Sequence, residues 1–265
     1  MTAVDYVTMT SPEEAYPDFV ARFYDTVYSQ IRSGVDEAFY LERIRTCPGP
    51  VLELGVGTGR LFCAARAEGA DVHGIDLSPA MVARCREKLP APDAARVEVQ
   101  DAVRMRLGRR FDLILAPFRM LLHVIQVEDQ LRLLDAVFDH LTPGGLFLFD
   151  VYVPSPRILA DGLDLARDFE GEYAPGKRLE RSVTARADVV NQVTSATMSF
   201  VWEEDGRTHR RDWDFRMRFF FRYEIEHLVA RSRLRLEAIH GDFEGGSLTP
   251  DSREFVVFCK RPLGT

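Results

Sequence analysis

The chain has 265 residues, 46% hydrophobic and 28% charged, and its 34 Lys and Arg stand against 41 Asp and Glu, a formal net charge of −7. That length and composition fit one globular α/β domain with a modest insertion, burying about three quarters of its unfolded surface, and exclude disorder, collagen and a disulfide scaffold. The acidic balance argues against a protein whose main task is to hold nucleic acid through its phosphates.

After a polar lead, Phe19, Phe23, Tyr24, Val27, Tyr28 and Ile31 recur at steps of three and four, which predicts one or two helices between Glu13 and Ile44. Cys47-Pro48-Gly49-Pro50 ends them, because proline lacks the amide donor. Short apolar runs then alternate with helical patterns. VLELGV is a strand, Arg60 to Glu68 a helix and DVHGIDL a second strand. Ser78-Pro79 reads as an N-cap with proline at the first helical position, opening a helix to about Lys88. RVEVQDA, FDLILAPF and GLFLFDVYV follow as strands, with an amphipathic helix from Glu128 to Leu141 that stops at Thr142-Pro143-Gly144-Gly145. Strands alternating with helices imply a parallel sheet covered on both faces. From Lys177 to Phe221 the period falls to two, with Trp213, Phe215, Met217, Phe219 and Phe221 on one face, and Asp205-Gly206 signals a type I′ hairpin. This is an antiparallel insertion. A helix near Tyr223 to Arg233 and strands at Leu234 to Ile239 and Glu254 to Lys260 close the chain.

Cys47, Cys63, Cys85 and Cys259 show neither close pairing nor metal-ligand spacing, so they read as small buried hydrophobes or free thiols in a reducing compartment. No basic, apolar leader is seen, and no apolar run approaches the ~18 residues of a membrane span. A soluble cytoplasmic protein without a metal centre is expected.

Chemistry concentrates at strand ends. Gly55, Gly57 and Gly59, between the first strand and its helix, allow a sharp turn and close approach of a ligand to the helix N-terminus. A dinucleotide fingerprint wants its third glycine where Arg60 stands, and the P-loop ending is missing, so a pyrophosphate ligand is disfavoured. Asp76 ends the second strand and can accept both hydroxyls of a ribose; Gln100-Asp101-Ala102 ends the third, where a carboxylate can accept from an adenine amino group. Each aspartate alone is equally a strand-end or cap residue. Together they mark the edge of an open α/β sheet where ligands bind.

VLELGVGTGR, GIDLSPAMVARCREKL, VQDAVRM, FDLILAPF and LTPGGLFLFDVY, in this order, resemble the successive motifs of class I S-adenosylmethionine-dependent methyltransferases of the small-molecule type. The resemblance implies a Rossmann-like seven-stranded sheet with its last strand antiparallel. It divides the chain into an N-terminal helical lid (1–49), a cofactor domain (50–153 and 222–265) and an antiparallel β insertion (154–221), which is a substrate cap or a dimer contact. By the same resemblance Glu53 and the three glycines line the methionine part of S-adenosylmethionine, Asp76 the ribose, and Asp101 with Ala102 the adenine. Leu77 and Met81 would pack the adenine ring, Ala116 to Phe118 would face the reactive end, and Tyr24 and Tyr28, one helical turn apart, would cover the cofactor or simply pack with their hydroxyls at the rim.

Methyl transfer from a sulfonium is an in-line displacement for which the protein supplies position and a dry site. His123 is the first candidate for a base, with a packed core histidine as the alternative. Arg119, four residues earlier, is placed to bind an acceptor carboxylate or phosphate, and Asp150 and Tyr152 leave the fifth strand where they can hydrogen-bond an acceptor, Asp150 being equally suited to a structural cap. His240 and Asp242 are further rim candidates. Without a clear deprotonating constellation, methylation of nitrogen is favoured over oxygen, on a small molecule rather than nucleic acid, by a monomer or homodimer. The rivals are an RNA or protein methyltransferase and a cofactor-binding regulatory protein without turnover.

Overall fold

Two helices precede the first strand, and they serve different parts of the molecule. The computed structural model describes residues 16–31 and 34–264; the lead and the expected helical start at residues 13–15 lie outside the described residues. Helix α1 (Asp18–Ile31) buries Val20, Phe23 and Val27, one stripe at helical spacing, whereas α2 (Val35–Thr46) buries Tyr40 and Ile44. Then come β1 (Val51–Leu54), α3 (Arg60–Ala67), β2 (Val72–Asp76), α4 (Pro79–Glu87), the short α5 (Ala91–Ala94) and β3 (Val97–Val99). Ser78 caps α4 as expected, its Oγ accepting from the Met81 amide at 3.3 Å. After a 3₁₀ turn at Ala102–Arg104 follow β4 (Phe111–Ala116), a second 3₁₀ turn at Met120–His123, α6 (Val127–His140) and β5 (Leu141–Tyr152).

The insertion is α7 (Pro156–Asp161) with β6 (Leu163–Ala174), β7 (Lys177–Asp188), β8 (Val193–Glu204) and β9 (Arg207–Arg218). Helix α8 (Arg222–Ala230), β10 (Arg235–His240) and β11 (Glu254–Lys260) return to the main sheet. That sheet has the order β10-β11-β5-β4-β1-β2-β3, and β11 runs antiparallel to both neighbours while the rest are parallel to one another. The chain winds outward from β1 through β2 to β3, then returns to β4 and β5 on its other side. The crevice where the winding reverses opens at the C-terminal ends of β1 and β4, which is where an open α/β sheet binds ligands.

Two expectations change. Strand β5 begins at Leu141 directly after α6, not beyond Gly145: Phe111 faces Leu141 but Leu113 faces Leu146, so Thr142 to Gly145 bulge out of an otherwise continuous ladder. Strand β6 precedes the start of the expected alternation at Lys177. It is an edge strand with only Phe169 buried, and an edge carries little hydrophobic alternation to read. The Asp205-Gly206 hairpin does form, with φ of 51° and 71° as a type I′ turn requires.

The expected N-terminal unit also divides. Tyr40 and Ile44 of α2 join Val51, Leu61 and Phe62 in the main core. The apolar stripe of α1 instead packs on the four-stranded sheet, with Phe23 5.3 Å from Trp202 and 6.2 Å from Phe200 between ring centroids. Arg22 of α1 donates to both carboxylate oxygens of Glu204 at 3.1 and 2.6 Å. On β9, Arg207, Arg210 and Arg211 are exposed while Trp213 and Phe215 are buried, the reverse of a base-stacking platform. No helix among the described residues is long and apolar enough to cross a membrane.

Candidate active site

Glycine geometry builds the floor of the crevice. Gly55, Gly57 and Gly59 all have positive φ (71°, 56° and 88°), a region that other residues enter at a cost of about 1–2 kcal/mol. Their roles differ. A methyl group on Gly59 would lie 2.5 Å from the Cys85 sulfur, and one on Gly55 2.7 Å from Met120, so these two glycines permit packing. At Gly57 the nearest atom would be 4.0 Å away, which leaves open space above the loop. We therefore expect Gly59→Ala to lose about 3 kcal/mol of stability in urea denaturation, from strain and overpacking, and Gly57→Ala only about 1 kcal/mol while obstructing the crevice. Equal losses would contradict this division.

Asp76 locks the loop to the second strand. Its Oδ2 accepts from the Gly57 amide and its Oδ1 from the Ser78 amide, both at 2.8 Å. Burial raises its pKa, and these two amides oppose the shift. Asp101 accepts from the Val103 amide at 2.9 Å and caps the following turn. Gly55, Gly57, Asp76 and Leu77 line one cavity with Met81, Asp101 and Ala102, and Phe118, Tyr24 and His123 line the same cavity from the other side.

The remaining expected residues lie outside that lining. Tyr28 stacks on Tyr24 at 4.2 Å but turns to the Arg181 guanidinium, 5.1 Å from its ring centre. Glu53 sits behind the loop, 1% exposed, with no hydrogen-bond partner for either carboxylate oxygen; burial pushes its pKa well up. Ala116 is fully buried in β4, and Gly59 packs against the two cysteine sulfurs. Arg119 does not reach toward an acceptor: it pairs with Glu254 at 2.5 Å, its guanidinium 5.5 Å from the Tyr152 ring. Asp150 accepts from the Tyr40 hydroxyl at 2.7 Å and from the Phe118 amide, and burial raises its pKa to about 6. Phe118 and Arg119 have φ of 57° and 68°, so Asp150 and Glu254 hold a strained turn that presents Phe118 to the cavity. Tyr152 bonds to Thr194 of the inserted sheet. His240 lies against Phe258, and Asp242 caps its own loop through the Glu244 and Gly246 amides.

Among the lining residues that sequence reasoning missed are Tyr16, Thr58, Arg60 and Asp129. Arg60 lies 3.7 Å over the Phe118 ring and pairs with Asp36 and Glu37. Asp129 stands in the first turn of α6, and the general signal was available, since helices that follow parallel strands point their N-termini at this edge. Thr58 ties the loop to the first helix: its Oγ1 donates to Asp25 at 2.5 Å, and Lys88 bonds both Asp25 and the Thr58 carbonyl. Tyr16 had no periodic signal because it precedes the helix. Its carbonyl accepts from Ser78 Oγ at 2.8 Å, and its hydroxyl lies 3.3 Å from His123 Nε2.

Desolvation alone lowers the His123 pKa to about 4, and its Nδ1 is buried without a partner. The imidazole is thus neutral at physiological pH. Because the folded state binds this proton more weakly than the unfolded state, His123 makes stability fall as pH drops from about 6.5 to 4. Urea denaturation across that window should show His123→Leu gaining about 2 kcal/mol relative to the parent protein; parallel curves would refute the shift.

A methyltransferase domain model matches residues 51–145, covering the loop, both aspartates and the fourth strand. The chain is similar to the cypemycin N-terminal methyltransferase of a Streptomyces species, 25% identical over 95% of this chain and 99% of that protein. It is 24% identical to the dTDP-3-amino-3,4,6-trideoxy-alpha-D-glucopyranose N,N-dimethyltransferase of Streptomyces venezuelae, over 75% and 80% of the two chains. Among solved structures, the CcbJ methyltransferase from Streptomyces caelestis is 26% identical over 86% of this chain and 95% of that one, with a TM-score of 0.72. Residues 51–145 are a methyltransferase domain, and the chain is an S-adenosylmethionine-dependent methyltransferase. S-adenosylmethionine is its cofactor, and the residues present fit it. The open space over Gly57 admits a ligand, the carboxylates of Asp76, Asp101 and Asp129 in the lining suit a molecule carrying sulfonium and ammonium charges, and the buried Glu53 carboxyl has no other partner.

Proposed function

We propose that this methyltransferase methylates the nitrogen of a small-molecule amine, held against Tyr16 and His123. The observation that carries this reading is the neutral pair itself. Burial keeps the imidazole unprotonated and, with Tyr24, Tyr28 and Asp76 nearby, pushes the Tyr16 phenol well above its ordinary pKa. Neither group is a strong base, so the site suits an acceptor that already has a lone pair. An alcohol would require deprotonation that neither Tyr16 nor His123 supplies. The names of the two relatives, an N-terminal methyltransferase and an N,N-dimethyltransferase by their descriptions, support the same reading.

The cofactor supplies the activated methyl group. Asp76 would accept from the ribose hydroxyls, Asp101 from the adenine amine, and Leu77, Met81 and Ala102 would pack the purine. Gly55 and Gly57 would give the methionine tail close access, with Glu53 as its buried counter-charge one layer behind. Phe118 would border the reactive end, and Tyr24 would cover it. With its proton on Nε2, directed to the Tyr16 oxygen, His123 keeps a bare Nδ1 for an amine hydrogen and so aims the nitrogen lone pair. Helix α1 and the inserted sheet would cap the acceptor and keep water out.

A test is to offer the enzyme S-adenosylmethionine with matched amines, their hydroxyl analogues, short peptides and RNA, reading homocysteine-nucleoside release and product mass. Methyl gain on the amines alone is expected. A peptide N-terminal amine is the second reading, favoured by the relative that matches along almost its whole length. Methylation of a hydroxyl analogue at comparable rate would defeat the assignment to nitrogen.

A further inference from the structure

Two of the four thiols meet directly beneath the glycine loop. Cys63 stands in the first half of α3 and Cys85 near the end of α4, and a methyl group placed on Gly59 would lie 2.9 and 2.5 Å from their sulfurs. Both sulfurs therefore flank the same point under the loop. Cys85 is fully buried, whereas Cys63 is half-buried and reachable by a small solute. The Lys88 ammonium, which also anchors Asp25 and the Thr58 carbonyl, lies near both thiols.

We propose that Cys63 and Cys85 form a reversible oxidation site whose disulfide, closing under Gly59, distorts the glycine loop and weakens cofactor binding. The coupling rests on the reading of the cavity given above; the cross-link itself does not. A sulfur–sulfur bond is about 2.05 Å long, well inside the contact distance of two unbonded sulfurs. Closing it draws the start of α3 toward α4. Gly59 begins α3 and rests on both sulfurs, so the loop must move with them.

Hydrogen peroxide is the oxidant. The Cys63 sulfur attacks one peroxide oxygen, the oxygen–oxygen bond breaks, and the departing oxygen leaves as water with the thiol proton. The Cys85 sulfur then attacks the resulting sulfenic sulfur, the sulfur–oxygen bond breaks, and a second water departs. Two thiols lose two electrons and the peroxide gains them. Cys63 is the attacking partner on grounds of access. Its thiol is also lowered to about 7, chiefly by the hydrogen bond from Cys85, while Cys85 is pushed up.

The test compares reduced protein with protein treated with hydrogen peroxide and then freed of it. Thiols are alkylated under denaturing conditions and mapped by mass, and S-adenosylhomocysteine is titrated calorimetrically. A peptide pair linked through Cys63 and Cys85 is expected, with binding at least tenfold weaker and restored by dithiothreitol. Cys63→Ser and Cys85→Ser proteins should keep their affinity through the same treatment. Two thiols still free after oxidation, or a mapped cross-link with unchanged affinity, overturns the proposal. Reduced protein that fails to bind S-adenosylhomocysteine would strike the cofactor reading and the coupling together, while the peptide map decides the cross-link on its own.

Discussion

Replacing Asp76 by alanine should weaken S-adenosylhomocysteine binding by more than a hundredfold, about 3 kcal/mol, the largest loss expected of any substitution at the cavity. Two effects add. The carboxylate holds the Gly57 and Ser78 amides, each at 2.8 Å, so its removal frees the loop that must be ordered for binding. The ribose hydroxyls then also lose their acceptor and enter the crevice unpaired. Stability should change less than affinity. Burial raises the pKa of Asp76, which means that the folded protein holds its charge at some expense, and alanine relieves that while breaking the two hydrogen bonds. Asp76→Asn keeps one carbonyl oxygen and should fall between. Calorimetric titration beside urea denaturation separates these quantities; unaltered affinity in Asp76→Ala would remove this residue from the site.

His123→Ala should lower kcat by about a hundredfold at saturating cofactor while S-adenosylhomocysteine affinity changes less than threefold. The residue is held 3.3 Å from the Tyr16 hydroxyl and lines the cavity; on the proposed reading it would orient the acceptor without gripping the nucleoside. Tyr16→Phe should give a smaller loss, about tenfold, and the double variant less than the product of the two, because the pair acts as a unit. The pH profile distinguishes orientation from proton removal. Since His123 is neutral above about pH 4, kcat/KM should rise with pH through the ammonium pKa of the acceptor, with the same midpoint in His123→Ala. Disappearance of an ionisation between pH 6 and 7 in the variant would make His123 a base after all.

The strand-tip glycines and aspartates were legible in sequence because their positions follow from chain order alone: a parallel sheet brings every strand C-terminus to one edge, whatever the tertiary detail. The part of the cavity proposed to hold the cofactor is made of such positions. The acceptor half is not. Tyr16 and His123 are more than a hundred residues apart, and their meeting depends on how a helix and an inserted sheet dock, which no local period encodes. Arg119 and Asp150 stood at the right edge and yet turn away, toward Glu254 and Tyr40, because two consecutive left-handed residues reverse the backbone there. Nothing in Phe118-Arg119 announces positive φ, as glycine would. Strand β6 was hidden for the opposite reason: with one buried residue, an edge strand has hardly any pattern to show.

Helix α1 precedes the whole nucleotide-binding framework in the chain, yet its aromatic and ionic partners Phe200, Trp202 and Glu204 belong to a sheet that begins more than a hundred residues later. Anyone grafting acceptor preference between such enzymes should transplant residues 16–31 and 163–218 as one cassette. A chimera that exchanges the sheet alone would leave Arg22 and Phe23 facing a foreign surface and inherit a mismatched roof over an intact nucleoside pocket.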